Sequence, residues 1–376
     1  MKKSYWLVSI AVALVGTVQS SFAQGAVTTA VPFLLISPNS RASGMGEGGA
    51  AIADDATAVH WNPAGLGFQT GGEVSITHAN WLPQFGLSDL FYDYMNFKQD
   101  LPEYGGTLGG SITYLNLGEF VRTNDEGLET GRFKGFEFAI AVGFGTLLTE
   151  DFSVGTNLRF INSSLADQGA GQEKGSGIAN TFSFDLAFLY RPKSLVIPFV
   201  DEDIGGLFSI GANLSNLGPK VTYIDAAQAD PLPTQLRLGI AIMPLKDEYN
   251  SLTVSADFSK LLVYRSKNRD SSATTSTTDE LPKSLWTSFT KNTFDENLKL
   301  INSSLGLEYW YDKKVALRWG YFFEDPAHGN RNFMTYGAGL RYDIYGLDFS
   351  YISAKEDHPL SDTLRFTLLI IWGGLL

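Results

Sequence analysis

Alternation with a period of two residues runs through most of this chain and limits what it can fold into. Bulky apolar residues occupy every second position, with small, polar or charged residues between them, in runs at 136–145, 152–160, 182–188, 236–242 and 363–372. Successive side chains of a β-strand point to opposite faces, so each run has one bulky apolar face and one small or polar face. The pattern predicts an all-β protein built from many amphipathic strands.

The alternating runs divide the chain into about fourteen strands, each near the ten residues that a tilted membrane strand requires. We predict these strands at 74–81, 89–98, 107–117, 135–147, 152–164, 180–192, 206–217, 235–245, 251–264, 301–311, 315–324, 333–343, 346–355 and 362–372. An even number of antiparallel strands of this length is typical of a closed barrel in an outer membrane.

The connections between the predicted strands alternate in length. Those after odd-numbered strands are mostly long and polar, and they lie at 82–88, 118–134, 165–179, 218–234, 265–300, 325–332 and 356–361. Those after even-numbered strands are mostly short, with 193–205 as the exception. Outer-membrane barrels have long external loops and tight periplasmic turns, and a soluble sandwich has no reason to sort its loops this way. We therefore predict an antiparallel transmembrane β-barrel in the outer membrane, with both chain termini in the periplasm.

Composition favours the same class of protein and excludes others. Only 18% of the residues are charged and 13% are aromatic, whereas a soluble domain carries about 25% charged residues. The net charge of −12 and the lack of a basic cluster argue against nucleic acid as a partner. The chain contains no cysteine, which excludes disulfides and thiolate metal sites.

The first 73 residues fall outside the barrel pattern. Lys2 and Lys3 precede the apolar run Leu7 to Val18, and Ser21-Phe22-Ala23 supplies the small residues of a cleavage site. These features predict a signal peptide at 1–23. We expect 24–73 to pack in or under the barrel lumen, with a helix over the small residues Ala51 to Ala58, and 74–376 to form the barrel.

Charged residues of both signs share the predicted polar face of the strands. They are Arg159, Arg237, Arg318, Arg341, Arg365, Glu137, Asp185, Asp257, Glu308 and Asp348. Charges inside a narrow barrel are costly unless they are paired, so we predict a network of arginine–carboxylate pairs in the lumen. A charged lining that selects a solute is the functional alternative.

Enzyme and cofactor motifs are weak in this sequence. His78 lies near Ser75, but a hydrolase needs a third group to orient the histidine, and the sequence places none. The glycines of 44–49 follow no strand and precede no Lys-Ser or Lys-Thr pair, which argues against phosphate binding. The acidic runs at 54–55 and 201–203 are typical of solvated turns. We predict a protein without enzymatic activity, cofactor or metal.

A motif just before the first strand resembles a known family. Trp61-Asn62-Pro63-Ala64-Gly65 resembles the N-terminal motif of FadL-type outer-membrane proteins. The longer block 31–68, which includes Arg41-Ala42-Ser43-Gly44-Met45-Gly46, resembles the PorV/PorQ branch of that superfamily. The resemblance implies a FadL-like barrel of fourteen strands with its N-terminal segment in or under the lumen. From the residues alone, Pro63 and the restricted Asn62 before it indicate a helix stop rather than a ligand contact.

The resemblance also implies a function. PorV proteins serve the type IX secretion system: they bind secreted proteins by their C-terminal domain at the translocon and pass them to a cell-surface attachment complex. The implied partners are these cargo proteins, the translocon and attachment subunits, and membrane lipid. The polar loops 165–179, 218–234 and 265–300 would form the docking face. The alternatives are a FadL-type importer of hydrophobic molecules such as long-chain fatty acids, and a lipid-modifying enzyme acting through Ser75 and His78.

Overall fold

The structure is a computed structural model, and only part of the chain is described in it. The described residues are 29–86, 89–124, 126–167, 176–196, 203–224, 229–267, 276–355 and 358–373. The predicted signal peptide at 1–23 lies outside them, as do the last three residues of the chain.

Fourteen antiparallel strands form a closed barrel in which each strand pairs with its neighbour in sequence and the last pairs with the first. They are β1 (Gly72–Asn80), β2 (Phe91–Leu101), β3 (Gly106–Thr123), β4 (Glu129–Leu147), β5 (Phe152–Ala166), β6 (Gly177–Tyr190), β7 (Phe208–Leu217), β8 (Gln235–Lys246), β9 (Asn250–Leu261), β12 (Ile301–Tyr311), β13 (Val315–Phe323), β14 (Asn332–Tyr342), β15 (Tyr345–Ala354) and β16 (Leu364–Trp372). The predicted fold class and all fourteen predicted strands are confirmed.

The remaining strands and helices lie in the connections. β10 (Arg265–Lys267) and β11 (Ser276–Thr278) pair with each other outside the barrel. Two 3-10 helices, at Pro83–Phe85 and Pro102–Tyr104, lie in the connections on either side of β2. Two α-helices, α3 (Lys283–Thr290) and α4 (Phe294–Lys299), lie between β11 and β12. None of the helices in the described ranges is long and apolar enough to span a bilayer.

The prediction of a loop at 118–134 is wrong for most of that range, because β3 and β4 continue through it. Beyond a bulge between Asn116 and Gly118, the two strands stay paired as far as Thr123 and Glu129. Phe120 and Phe133 face each other there, with ring centroids 5.4 Å apart. The connection itself is therefore only 124–128. Cross-strand pairs such as Phe120 and Phe133 stabilise a hairpin even where the sequence is polar.

Side-chain burial shows that the barrel is apolar on the outside. On β4, Ile140 and Val142 are 45% and 53% exposed, whereas Ala139 and Ala141, which alternate with them, are each 3% exposed. Outward-facing rings on neighbouring strands touch and form an aromatic row; its members are Phe91, Tyr114, Phe136, Phe138, Phe160 and Phe182. This is the arrangement of a barrel that faces lipid.

The connections differ between the two ends of the barrel. The end that carries 102–105, 148–151, 247–249, 312–314 and 343–344 is called the short-turn end, and the opposite end is the long-loop end. The predicted exception at 193–205 falls in the connection between β6 and β7, at the short-turn end.

The N-terminal segment Thr29–Gln69, called the plug, runs down the lumen. It contains two α-helices, α1 (Ser40–Ser43) and α2 (Ala58–Trp61), and two 3-10 helices, at Pro32–Leu35 and Pro63–Phe68. At the long-loop end the amide of Ala30 donates to the carbonyl of Pro231 (3.0 Å). Near the short-turn end the hydroxyl of Ser153 donates to the carbonyl of Ala64 (2.6 Å).

Glycines on the inner face of the wall make room for the plug. A Cβ on Gly211 would lie 2.0 Å from the carbonyl oxygen of Ala50, and one on Gly320 would lie 2.0 Å from the amide nitrogen of Gly46. Such distances are far below van der Waals contact. The small residues of the alternating pattern therefore allow the plug backbone to approach the strands directly.

Substitution of Gly211 by alanine should destabilise the barrel because the new methyl group overlaps the plug. We expect a loss of about 1–3 kcal/mol in the free energy of unfolding, as is usual for overpacking. Gly131→Ala is the matched control, since a Cβ there meets only the end of the Arg122 side chain, at 3.5 Å. The measurement is the urea midpoint of the purified protein in detergent, and equal midpoints for the two variants would contradict this packing.

Candidate functional site

Side chains from outside the plug bond four consecutive backbone groups in the middle of the plug. A carboxylate oxygen of Asp257 accepts from the amides of Gly49 (2.8 Å) and Ala50 (2.9 Å). The hydroxyl of Ser209 donates to the carbonyl of Ala51 (2.8 Å), and Arg191 donates to the carbonyl of Ile52 (2.6 Å).

The helix expected over Ala51 to Ala58 is therefore absent, and helix α2 begins only at Ala58. Backbone groups that already have partners on the wall gain little from forming a helix. The prediction from helix propensity was wrong for this reason.

Asn62 joins three parts of the structure. It is fully buried, it ends helix α2, and its side-chain oxygen accepts from the amide of Ala64 (3.1 Å) at the start of the following 3-10 helix. Its side-chain nitrogen donates to the carbonyl of Ala50 (2.7 Å) in the plug and to that of Phe188 (3.0 Å) on β6. A buried amide with both ends bonded fixes the position of the plug against the wall.

The other residues of the motif fit closely around Asn62. The guanidinium of Arg237 lies over the Trp61 ring, 4.8 Å from its centroid, and Trp61 is 3% exposed. Pro63 occupies the first turn of the 3-10 helix, where its missing amide costs nothing. A Cβ on Gly65 would lie 2.1 Å from the carbonyl oxygen of Ala53, so only glycine fits. The motif residues make contacts within the protein.

Five charged side chains form a connected chain through the lumen. Arg41 of the plug bonds both oxygens of Glu308 (2.7 and 2.9 Å), and Glu308 also accepts from Arg318 (2.7 Å). Asp348 accepts from Arg318 (2.8 Å) and from Arg341 (2.7 Å). Buried charges that are paired and hydrogen-bonded on both sides avoid most of the cost of leaving water.

The other charged residues named from the sequence fall into smaller groups. Arg159 pairs with Asp185 (3.0 Å), and Arg237 lies 3.7 Å from Asp257. Arg365 donates to the hydroxyl of Ser43 (2.6 Å) in the plug and lies 3.9 Å from the Glu47 carboxylate.

Glu137 is placed apart from the arginines named from the sequence. It accepts a hydrogen bond from the Ser163 hydroxyl (2.7 Å), and the ion pairs found among the described residues do not include it.

Sequence reasoning missed the plug's own charges, above all Arg41. Burial opposes the charge of Arg41, but Asp54 and Glu308 outweigh it and hold the pKa of the guanidinium well above its ordinary value. Asp55 accepts from the same guanidinium (3.0 Å), and although burial opposes its charge, Arg41 holds the pKa of Asp55 below its ordinary value. These charges could have been predicted, because Arg41 and Glu47 lie in a segment that was expected to pack in or under the lumen.

A cavity of about 950 Å³ lies above the plug at the long-loop end, and it is called the mouth. Its floor includes Phe33 and Ile36 of the plug, and its side includes Leu115 and Leu117 of β3. Polar residues complete its lining; they include Glu324, Arg331, Lys355 and His358. A concave apolar surface with a few polar groups is the usual form of a binding site.

The structure separates the two residues of the hydrolase alternative. Ser75 is buried and faces the lumen, where its hydroxyl donates to Asn96 (2.6 Å). His78 faces outward and lies 2.7 Å from Asp93, a neighbour on β2 that the sequence had not indicated. Ser75 and His78 therefore lie on opposite faces of the wall. Within the described ranges, no cluster of three His, Cys, Asp or Glu residues is arranged to hold a metal ion.

The fold defines a class of protein, the closed outer-membrane β-barrels, here with a lumen filled by an N-terminal plug. The toluene transporter TbuX of Ralstonia pickettii matches with a TM-score of 0.50 and 14% identity, over 90% of this chain and 98% of that chain. The Pseudomonas putida toluene transporter TodX matches with 0.51 and 12% identity, over 94% and 98%. A FadL homologue of Pseudomonas aeruginosa matches with 0.44 and 10% identity, over 88% and 97%. The two toluene transporters share the fold of this chain.

The particular family is identified from the sequence. The family model described as type IX secretion system protein PorV matches residues 19–268, which is more than half of the chain. The chain belongs to this family, and the suspected resemblance is confirmed. Among curated proteins, none matches the chain in sequence. The family and the fold are those of outer-membrane secretion and transport proteins rather than of enzymes.

Replacement of Glu308 by glutamine should weaken both the barrel and the seating of the plug. The change leaves Arg41 and Arg318 buried beside a neutral side chain, which costs about 3–5 kcal/mol when a buried pair is broken. Glu150→Gln is the matched control, because Glu150 pairs with Lys193 at the exposed surface and its loss should cause no measurable change. The urea midpoint of each purified variant gives the comparison, and a Glu308→Gln midpoint equal to that of Glu150→Gln would refute the role of this chain of charges.

Proposed function

We propose that this protein is the outer-membrane component of a type IX secretion system that binds secreted proteins by their C-terminal domain and passes them to a cell-surface attachment complex. Membership of the PorV family is the observation that carries the proposal. The geometry supports it, because in the described part of the chain the plug and the paired charges fill the lumen and leave no open channel for a protein to pass. Binding at the surface, not conduction, is then the function of the barrel.

We further propose an orientation in the membrane. The long-loop end would face outward and the short-turn end would face the periplasm, as is usual in outer-membrane barrels. β16 ends at the short-turn end, which supports a periplasmic C-terminus. Cleavage after Ala23 would leave only a few residues before Thr29, which lies at the mouth. The predicted periplasmic N-terminus therefore has no support from the described residues.

The docking face would be the surface around the mouth. The described parts of the proposed docking loops lie at this end, and 168–175, 225–228 and 268–275 fall outside the described residues. Helices α3 and α4 add large exposed apolar side chains to this surface: Trp286, Phe289, Phe294 and Leu298. Exposed aromatic residues of this size are typical of protein-binding surfaces.

Import of hydrophobic molecules is the second candidate function. The apolar lining of the mouth favours it, and so does the shared fold with two proteins that are described as toluene transporters. The plug and the ion pairs below the mouth oppose it, since an apolar molecule would have to displace buried charges that are already paired.

Deletion of the gene should trap proteins that carry C-terminal secretion domains in the periplasm. The measurement is the distribution of such proteins between periplasm, cell surface and medium, with the deletion strain complemented by the wild-type gene as the control. Normal export in the deletion strain would contradict the proposal. A growth defect on long-chain fatty acids, together with normal export, would support import instead.

A further inference from the structure

Strand β6 is paired along its whole length with β5 but along only about half of its length with β7. β5 pairs with β6 as far as Ala166 and Gly177. β7 pairs with β6 only as far as Leu217 and Phe184. In the described part of the chain, the residues Gly177–Ser183 therefore have no strand beside them on the β7 side, and they are called the β6 edge.

After β7 the chain turns into the lumen, and the β6 edge stays open for this reason. Asn216 adopts a left-handed conformation (φ 59°), with its amide bonded to Asp185 (2.7 Å) and its side chain to the carbonyl of Pro233 (3.1 Å). The following segment enters the lumen, where the hydroxyl of Tyr223 donates to that of Ser163 on the inner face of β5 (2.9 Å). The segment after β7 thus packs behind the sheet and not beside β6.

The orientation of the backbone groups on β6 follows from one contact. The carbonyl of Asp185 accepts from the Thr156 hydroxyl on β5 (2.9 Å), so odd-numbered residues direct their backbone groups toward β5. Because the two sides alternate along a strand, even-numbered residues direct theirs toward the open side. Ile178 and Asn180 therefore present an amide and a carbonyl each at the β6 edge.

The β6 edge carries no side chain of the kind that blocks strand addition. Its seven residues contain no charged side chain and no proline, whereas exposed edges are often blocked by lysine or proline. Phe182 is the last member of the aromatic row, so the residues before it extend beyond the row toward the long loops. A polypeptide outside the membrane can therefore reach them.

A second cavity lies where β7 ends. It has a volume of about 670 Å³ and borders Gly218, which lies against the carbonyl of Phe182. Its lining is mostly apolar and includes Leu217, Leu232 and Leu285. An added strand directs alternate side chains to one face, and this cavity would receive the apolar ones.

We propose that the β6 edge binds one extended strand of a secreted protein by β-strand addition. The inference rests on the proposed function and specifies where the cargo binds. Main-chain hydrogen bonds recognise any extended segment, whatever its side chains, which suits a protein that accepts many different cargoes. The apolar cavity adds a preference for apolar residues at alternate positions of the bound strand.

Asn180→Pro tests the proposal, because proline removes the amide that points to the open side and leaves the pairing with β5 intact. Asn180→Ala is the matched control, since it removes the same side chain, which accepts from Asn162 (2.8 Å), and keeps the amide. The probe is a purified C-terminal domain from a protein secreted by the same organism, titrated against the full chain in lipid nanodiscs. We expect Asn180→Pro to raise the Kd about tenfold and Asn180→Ala to change it less than about twofold.

Each outcome distinguishes the inference from the proposed function. Equal Kd values for wild type and Asn180→Pro would overturn strand addition at this edge and leave the proposed function standing. No binding to wild type would contradict the proposed function and this inference together. A wild-type dimer that Asn180→Pro dissociates would show that a second copy of the chain occupies the edge, and would overturn the cargo assignment. If Asn180→Pro does not fold, Ile178→Pro takes its place, because it removes the other amide that points to the open side of β6.

Discussion

The structure depends on the need to give every polar group of a buried backbone a partner. The plug lies in a narrow lumen, and an unpaired amide or carbonyl there costs as much as a lost hydrogen bond. The wall supplies the partners from its inner face: Asp257 bonds two amides, and Asn157, Ser209 and Asn213 each donate to a plug carbonyl. The polar half of the alternating pattern is therefore complementary to the plug.

Charge and size on the inner face follow from the same need. Arg41 of the plug and Arg318 of the wall share Glu308, so neither the barrel nor the plug has a satisfied set of charges without the other. Glycines such as Gly211 and Gly320 bring the plug backbone within reach of these groups. Barrel and plug therefore share one set of ion pairs and hydrogen bonds, and the surfaces proposed for partners are the mouth, the long loops and the β6 edge.

The barrel could be predicted from the sequence because lipid imposes a strict period of two on every strand. The alternation of short and long connections also distinguishes the two ends of the barrel. The sequence could predict that most charged residues in the lumen form ion pairs, because opposite charges in balanced number in a confined space avoid the cost of burial by pairing. Their partners could not be named, since Arg41 reaches Glu308 across 267 residues of sequence. The absent helix at Ala51 to Ala58 and the extended β3–β4 hairpin show the limit of local rules, since tertiary hydrogen bonds and cross-strand contacts decide both. The Asp93 neighbour of His78 was missed for a related reason, because it lies on another strand.

Hydrogen–deuterium exchange of the plug amides in the detergent-solubilised protein tests the central claim most directly. The amides of Gly49 and Ala50 lie outside any helix or strand and bond only to the Asp257 carboxylate. If the wall holds the plug, they should exchange as slowly as the amides of the barrel strands. Exchange of these two amides at the rate of an exposed loop would show that the plug is not seated, and would contradict the account.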